Sequence, residues 1–213
     1  ICLHGPEIKP GKKWSHDHAF VLPEDADGDG AVDHISVTAR MGLDPSALRL
    51  LVATDRVMLS NGVWLELVLE RAGGMDVAVD AGPSTEWVSR TAYVPPNDRP
   101  PFTEKDATRQ LKYEIKERGL QAALKGAPQL VGHLDIAGNR LDPDSFHLDP
   151  DWGEGRPERA RPRLFRLEFE TPVSGPLAFG WGCHKGLGQF VPVVRPASRA
   201  GRLLDPDLRR LGE

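Results

Sequence analysis

Two long stretches of this chain carry the apolar pattern of an amphipathic helix, and Pro206–Leu211 in the tail offers a third, short one; most other apolar residues fall into short alternating runs between prolines and glycines. The first helical stretch opens at Asp44-Pro45, an N-cap followed by proline at the first helical position. Leu48, Leu51, Val52 and Leu59 give it an apolar stripe that ends near Leu59. The second opens at Thr103, with Asp106 three residues on in the place a capping box uses. It runs to about Arg118, where Gly119 stops it. Ala107, Leu111 and Ile115 mark its buried side, and Arg109, Lys112, Lys116 and Arg118 decorate its other faces.

The strands are read from alternation. His18–Leu22 is a short buried run, and His34–Ala39 sets Ile35, Val37 and Ala39 against Ser36 and Thr38. Val63–Glu70 alternates, two more strands fall near Met75–Val79 and Glu86–Val94, and another near Gln129–Leu134. With the two helices this order opens as β-α-β-β and closes as β-α-β, which predicts an α+β fold with a ferredoxin-like (RRM-like) βαββαβ unit over residues 16–135. Residues 1–15 read as an irregular lead-in and residues 196–213 as a tail. Residues 136–195 form a second, partial unit: a long polar loop containing Trp152, then strands at Arg163–Glu170, Leu177–Trp181 and Gln189–Val194, the last two joined by a glycine-rich turn.

Composition narrows the class. The 213 residues are 39% hydrophobic and 27% charged, as in an ordinary globular protein. No apolar run approaches the roughly 20 residues that span a membrane, and no basic-then-apolar signal segment opens the chain. Two cysteines, Cys2 and Cys183, without nearby thiol partners make neither a disulfide framework nor a cysteine zinc site, which predicts a reducing, cytoplasmic location. The chain begins at Ile1 without methionine, which suggests a piece of something longer. Net charge is −4, against simple nucleic-acid binding, yet the charge is uneven. Glu24, Asp25, Asp27, Asp29 and Asp33 cluster without a base, while Arg156, Arg159, Arg161, Arg163 and Arg166 cluster against Glu158 alone.

Three constellations bear chemistry. In Gly180-Trp181-Gly182-Cys183-His184-Lys185-Gly186-Leu187-Gly188, four glycines let the backbone turn sharply and bring N–H groups close to a phosphate, with Lys185 as a point charge. It is neither a Walker loop nor a dinucleotide fingerprint; the alternative is a tight hairpin with its glycines packed under Trp181 and Phe190. His16-Asp17-His18, followed by His34, supplies imidazoles for proton transfer near neutral pH, which is enough to cut RNA without a metal; the alternative is ordinary core or turn histidines. If a simple hairpin sets Leu22 opposite His34, His18 lies on that face but about 13 Å away, so either the pairing differs or only one of the two acts. Finally, Asp25, Asp27, Asp29 and Asp33 with Gly30 occupy positions 1, 3, 5, 9 and 6 of an EF-hand calcium loop. Position 12 is Ser36 rather than glutamate, and strands flank the loop; the alternative is an acidic turn whose carboxylates bond their own backbone.

Two blocks together, Ser15–His34 and Pro176–Phe190, resemble the Cas-five/Cas-six fusion subunit of type I-G (formerly I-U) CRISPR effectors. The second block is similar to the glycine-rich loop near the C-terminus of the wider repeat-processing superfamily, and the middle of the chain matches mainly in layout. The resemblance implies tandem ferredoxin-like units and metal-independent cleavage of CRISPR repeat RNA with no required cofactor. It implies that the product stays bound among the other subunits of a Cascade-type complex, and that a Cas-five part precedes this chain. It implies a histidine base, carried over to His16 and His18 with His34 as a third candidate. It also implies RNA contacts from Gly180, Gly182, His184, Lys185, Gly186 and Gly188. Arg109, Lys112 and Arg159 are further RNA contacts by charge. Most of the superfamily lacks the acidic loop, whose role as a structural calcium site stays open. The competing readings are a non-catalytic RNA-binding assembly subunit and a calcium-binding structural module.

Overall fold

The computed structural model describes residues 19–40, 42–58, 62–74, 77–78, 80–97, 103–136, 138–146, 157 and 161–193. The fold is mixed helix and sheet. Strands β1 (Phe20–Glu24) and β2 (His34–Thr38) pair as an antiparallel hairpin. Helix α1 (Pro45–Ala53) follows, then a small ribbon of β3 (Arg56–Met58) and β4 (Trp64–Glu66). Next come β5 (Ser84–Ser89), helix α2 (Glu104–Glu117), β6 (Gln129–Val131) and a second ribbon of β7 (Leu134–Ile136) and β8 (Asn139–Leu141). The chain closes with β9 (Leu164–Val173), β10 (Leu177–Ala178) and β11 (Gln189–Pro192).

One five-stranded antiparallel sheet, in the order β10-β11-β5-β9-β6, holds the core. Its longest strand shows why. Along β9, Phe165, Leu167 and Phe169 are buried while Arg166 and Glu170 are exposed, the period-2 pattern of a strand with a covered face. That face meets Trp87 of β5, Tyr93, and the Ala107-Leu111-Ile115 stripe of α2 in one cluster. On the opposite face Leu164 packs with Ala92 and Leu134, so the β7–β8 ribbon covers the other side. Both caps of α2 are as the sequence indicates. Thr103 accepts from the Asp106 amide at 3.4 Å, Asp106 accepts from the Thr103 amide at 2.9 Å, and Gly119 takes φ +76° just past the end.

The strand partners differ from the expected ones. The β2 and β4 strands, assigned by chain order to a ferredoxin-like sheet over residues 16–135, each belong to separate two-stranded ribbons. The main sheet takes β5 and β6 from before residue 135 and β9, β10 and β11 from after it. The hairpin register also shifts by two residues: Glu24, not Leu22, lies opposite His34. The Asp33 amide donates to the Glu24 carbonyl at 3.1 Å and the Asp33 carboxylate accepts from Ala26 at 2.8 Å, so the loop closes tighter than a simple turn count predicts. Helix α1 has its predicted cap, Asp44 accepting from Ser46 and Ala47 at 2.7 and 2.9 Å, worth about 1 kcal/mol. It ends at Ala53 rather than near Leu59 and buries no residue. Of the Met75–Val79 strand, both end residues lie outside the described residues, as do residues 1–15 and 196–213 and Trp152.

Candidate functional site

The glycine-rich segment joins β10 to β11, as a hairpin loop with one turn of 3₁₀ helix at Cys183–Lys185. Gly180, Gly182, Gly186 and Gly188 all have positive φ. Each is also pressed against other protein groups. A methyl on Gly188 would sit 1.8 Å from the Phe179 carbonyl oxygen, and one on Gly180 would sit 2.6 Å from that of Val94. One on Gly186 would meet Pro23 at 2.6 Å, and one on Gly182 would meet Leu187 at 2.9 Å. The packing partners are therefore Tyr93-Val94, Phe179, Leu187 and the β1 hairpin, rather than Trp181 and Phe190.

A buried carboxylate organises the loop from below. Glu114 lies on the apolar side of α2 and is only 8% exposed. It accepts from the Tyr93 hydroxyl at 2.8 Å and from the Gly180 amide at 2.7 Å. Burial pushes its pKa up, opposed by those two donors and by Arg118. Tyr93, desolvated beside Glu114, is held far above its usual range, so its hydroxyl stays a donor. Arg118 sits 4.6 Å over Phe179 and 5.3 Å over Phe20, joining the end of α2 to the loop and to β1. Burial pushes the Cys183 thiol up to about 11, which keeps it protonated and unsuited to act as a nucleophile. Sequence reasoning missed Glu114, Tyr93 and Arg118. The available signal was Glu114 itself, a carboxylate about 20° from the edge of the arc set by Ala107, Leu111 and Ile115.

The two sequence blocks that carry the resemblance meet here. His184 stacks on Phe20 with ring centroids 4.2 Å apart, and its Nδ1 donates to the Ala19 carbonyl at 3.3 Å. Cys183 and Ala178 share a cluster with Phe20 and Leu22. Thr91 clamps the loop's far side, donating to the Gly186 carbonyl at 2.6 Å and accepting from Gln189 at 3.0 Å. Lys185 is exposed at the rim. His16 and His18 lie outside the described residues, as does Arg159; Ala19, the residue after His18, is the one in contact with His184. Arg109 and Lys112 are exposed on α2 and line a shallow depression there.

His34 stands apart from the loop. Its Nδ1 is 2.8 Å from Asp33 and its Nε2 is 2.9 Å from Glu70. Hydrogen bonds donated by the ring to these two carboxylates raise its pKa, and both ring nitrogens are engaged. A base must offer a free nitrogen, so in this arrangement His34 acts as a clamp between the acidic loop and the segment after β4.

In the acidic loop, Asp25, Asp27 and Asp29 each place a carboxylate oxygen within 4.8 Å of the others. The same carboxylates bond the loop's own backbone: Asp25 accepts from Gly28, Asp29 and Gly30, Asp27 from Asp29, and Asp29 from Ala31. Arg90 approaches Asp25 at 3.7 Å and pairs with Asp80 at 2.7 Å. Asp33, the fourth predicted ligand, turns instead to Ala26 and His34. Three carboxylates supply the hard oxygen type that a calcium-type ion takes but fewer than the roughly six to eight oxygens it needs, and Ser36 at position 12 cannot add a bidentate carboxylate. No family model, curated protein or solved structure matches the chain.

Proposed function

We propose that this chain is the Cas-six-type, repeat-RNA-processing part of a CRISPR effector, a metal-independent endoribonuclease. One observation carries the reading. The two sequence blocks that resemble the family, about 150 residues apart in the chain, pack on each other through the Phe20–His184 stack, the Ala19 carbonyl and the Pro23–Gly186 contact. Separate structural roles do not require that convergence, whereas a composite site does. The strand order supports the fold half of the proposal. Across the sheet the strands run β11, β5, β9, β6, which in chain order are the fourth, first, third and second of these four, with α2 between β5 and β6. That order is compatible with a ferredoxin-like unit placed later in the chain than residues 16–135, with β10 added at the sheet edge and the glycine-rich segment in the position of the second helix.

In the proposed reaction a histidine of the His16–His18 segment removes the proton from a ribose 2′-OH. The oxygen attacks the adjacent phosphorus, the bond to the 5′-oxygen breaks, and an acid returns a proton to that oxygen. The products are a 2′,3′-cyclic phosphate and a 5′-hydroxyl. Lys185 and His184 at the loop rim contribute charge and hydrogen bonds near the phosphate, while the glycines allow β1 and the loop to approach this closely. The product RNA stays with the other effector subunits in the cytoplasm, beside the Cas-five-type part. The test is cleavage of repeat RNA by the double variant His16→Ala/His18→Ala, which should fall about 100-fold or more. Cleavage at the parent rate would refute the assignment.

A second reading is favoured by the converging oxygens of Asp25, Asp27 and Asp29: the loop holds a calcium ion that braces β1 against β2. This ion is structural in the proposal and takes no part in cleavage.

A further inference from the structure

The outward face of α2 is unusually ordered in charge. At about 100° per residue, Lys105, Arg109, Lys112 and Lys116 fall within an arc of about 60°. The centre of that arc lies about 130° around the helix from the centre of the buried Ala107-Leu111-Ile115 side. The helix's carboxylates lie elsewhere: Glu104, Asp106 and Glu117 flank the arc, and Glu114 is buried. Successive cations are about 4.5–6 Å apart along the axis, and the row is about 16 Å long. Among the described residues only Arg109 of the four has a carboxylate within ion-pair distance, Asp106 at 2.6 Å. Its own side chain is 78% exposed, and an exposed pair of that kind contributes little and exchanges readily for another anion.

A shallow, open depression beside this row is lined by Arg109, Lys112, Tyr113, Lys116 and Gln121. Tyr113 is 51% exposed. An exposed aromatic ring next to a line of cations has little to act on in a duplex, whose bases are stacked within the helix. Against a single strand it offers a stacking platform while the cations follow the phosphates.

Resting on the nuclease reading above, we infer that the outer face of α2 is a track for single-stranded RNA, with Lys105, Arg109, Lys112 and Lys116 holding successive phosphates and Tyr113 stacking on an unpaired base. The track would carry a single-stranded portion of the repeat transcript. It also accounts for nucleic-acid binding by a chain of net charge −4, since the positive charge is confined to one face.

The experiment measures binding of a labelled oligouridylate, a blunt RNA duplex and a polyglutamate peptide of equal charge, each across a salt series. Single-stranded RNA should bind tightest. The Lys112→Ala/Lys116→Ala variant should make its log K versus log salt slope shallower by about 1.4, near 0.7 for each phosphate that is no longer neutralised. Tyr113→Ala should weaken binding about tenfold without changing the slope, and Tyr113→Phe should restore it. Equal or tighter binding of the duplex or of polyglutamate, or an unchanged slope in the lysine variant, would overturn the inference. If that happens while repeat RNA is still cut, the track is wrong and the nuclease reading stands. If single-stranded RNA binds as described and repeat RNA is never cut, the nuclease reading is wrong and the track stands.

Discussion

Replacing Gly188 with alanine perturbs the point where the glycine-rich loop re-enters the sheet. Gly188 has φ +58°, in the left-handed region, where an alanine loses about 1 kcal/mol. Strain is the smaller part. The new methyl would lie 1.8 Å from the Phe179 carbonyl oxygen and 3.0 Å from its carbon. A carbon–oxygen contact needs about 3.3 Å, so the two backbones must separate by about 1.5 Å. That movement breaks the Phe179 amide's bond to the Gly188 carbonyl at 2.9 Å and the Gly188 amide's bond to Ala92 at 2.9 Å. Both lie among buried residues, where leaving such a group without a partner costs about 1–3 kcal/mol. A total near 4 kcal/mol follows. Gly126 is the matched control. It has φ +80°, yet a methyl there meets nothing within 4 Å, so Gly126→Ala should lose only about 1 kcal/mol. Urea unfolding of the two variants separates the causes: similar m-values, with midpoints apart by the equivalent of about 3 kcal/mol. Equal losses would show that conformational strain alone explains these glycines and that the close packing is without consequence.

Other outcomes follow from the same geometry. Glu114→Ala leaves the Tyr93 hydroxyl and the Gly180 amide without their acceptor and should lose about 3 kcal/mol by urea unfolding. Glu114→Gln tests the sign of the titration. The folded pKa is raised, so the native state binds the proton more tightly, and stability falls as pH rises from about 4.5 through the folded value. The glutamine variant should lack that decline, gaining on the parent as pH rises above about 4.5; parallel stability curves would contradict it. Calcium at millimolar concentration should raise the melting temperature, and Asp29→Ala should abolish the rise, whereas a flat titration would remove the ion from the account.

Local features were legible because local chemistry decides them. Thr103, Asp106 and Gly119 bound α2, the alternation of Phe165, Leu167 and Phe169 marks β9, and four glycines announce the hairpin between β10 and β11. Strand partnership was not legible in the same way. Alternation shows which side of a strand is covered but not which strand lies beside it, so β2 and β4 were expected in a sheet that instead unites β5 with β9 and β11. The hairpin register was displaced by the extra closure that Asp33 provides, a turn effect that counting residues misses. Glu114 was hidden by its type: a carboxylate is read as exposed until a hydroxyl and an amide are found aimed at it. In α1 and the β3–β4 ribbon, Leu48, Leu50, Val52, Met58 and Trp64 are exposed, so an apolar stripe alone did not say what would cover it.

The central claim is that this chain cuts repeat RNA by attack of its own 2′-hydroxyl. The most direct measurement is cleavage of a labelled CRISPR repeat RNA in EDTA, with the Cas-five-type part present, at a temperature where the chain remains folded. A second substrate carries 2′-deoxy at the scissile nucleotide. The account predicts that the normal RNA is cut to a 2′,3′-cyclic phosphate and the deoxy RNA is left whole. Binding of both RNAs with neither cut, or equal cleavage of both, would contradict it.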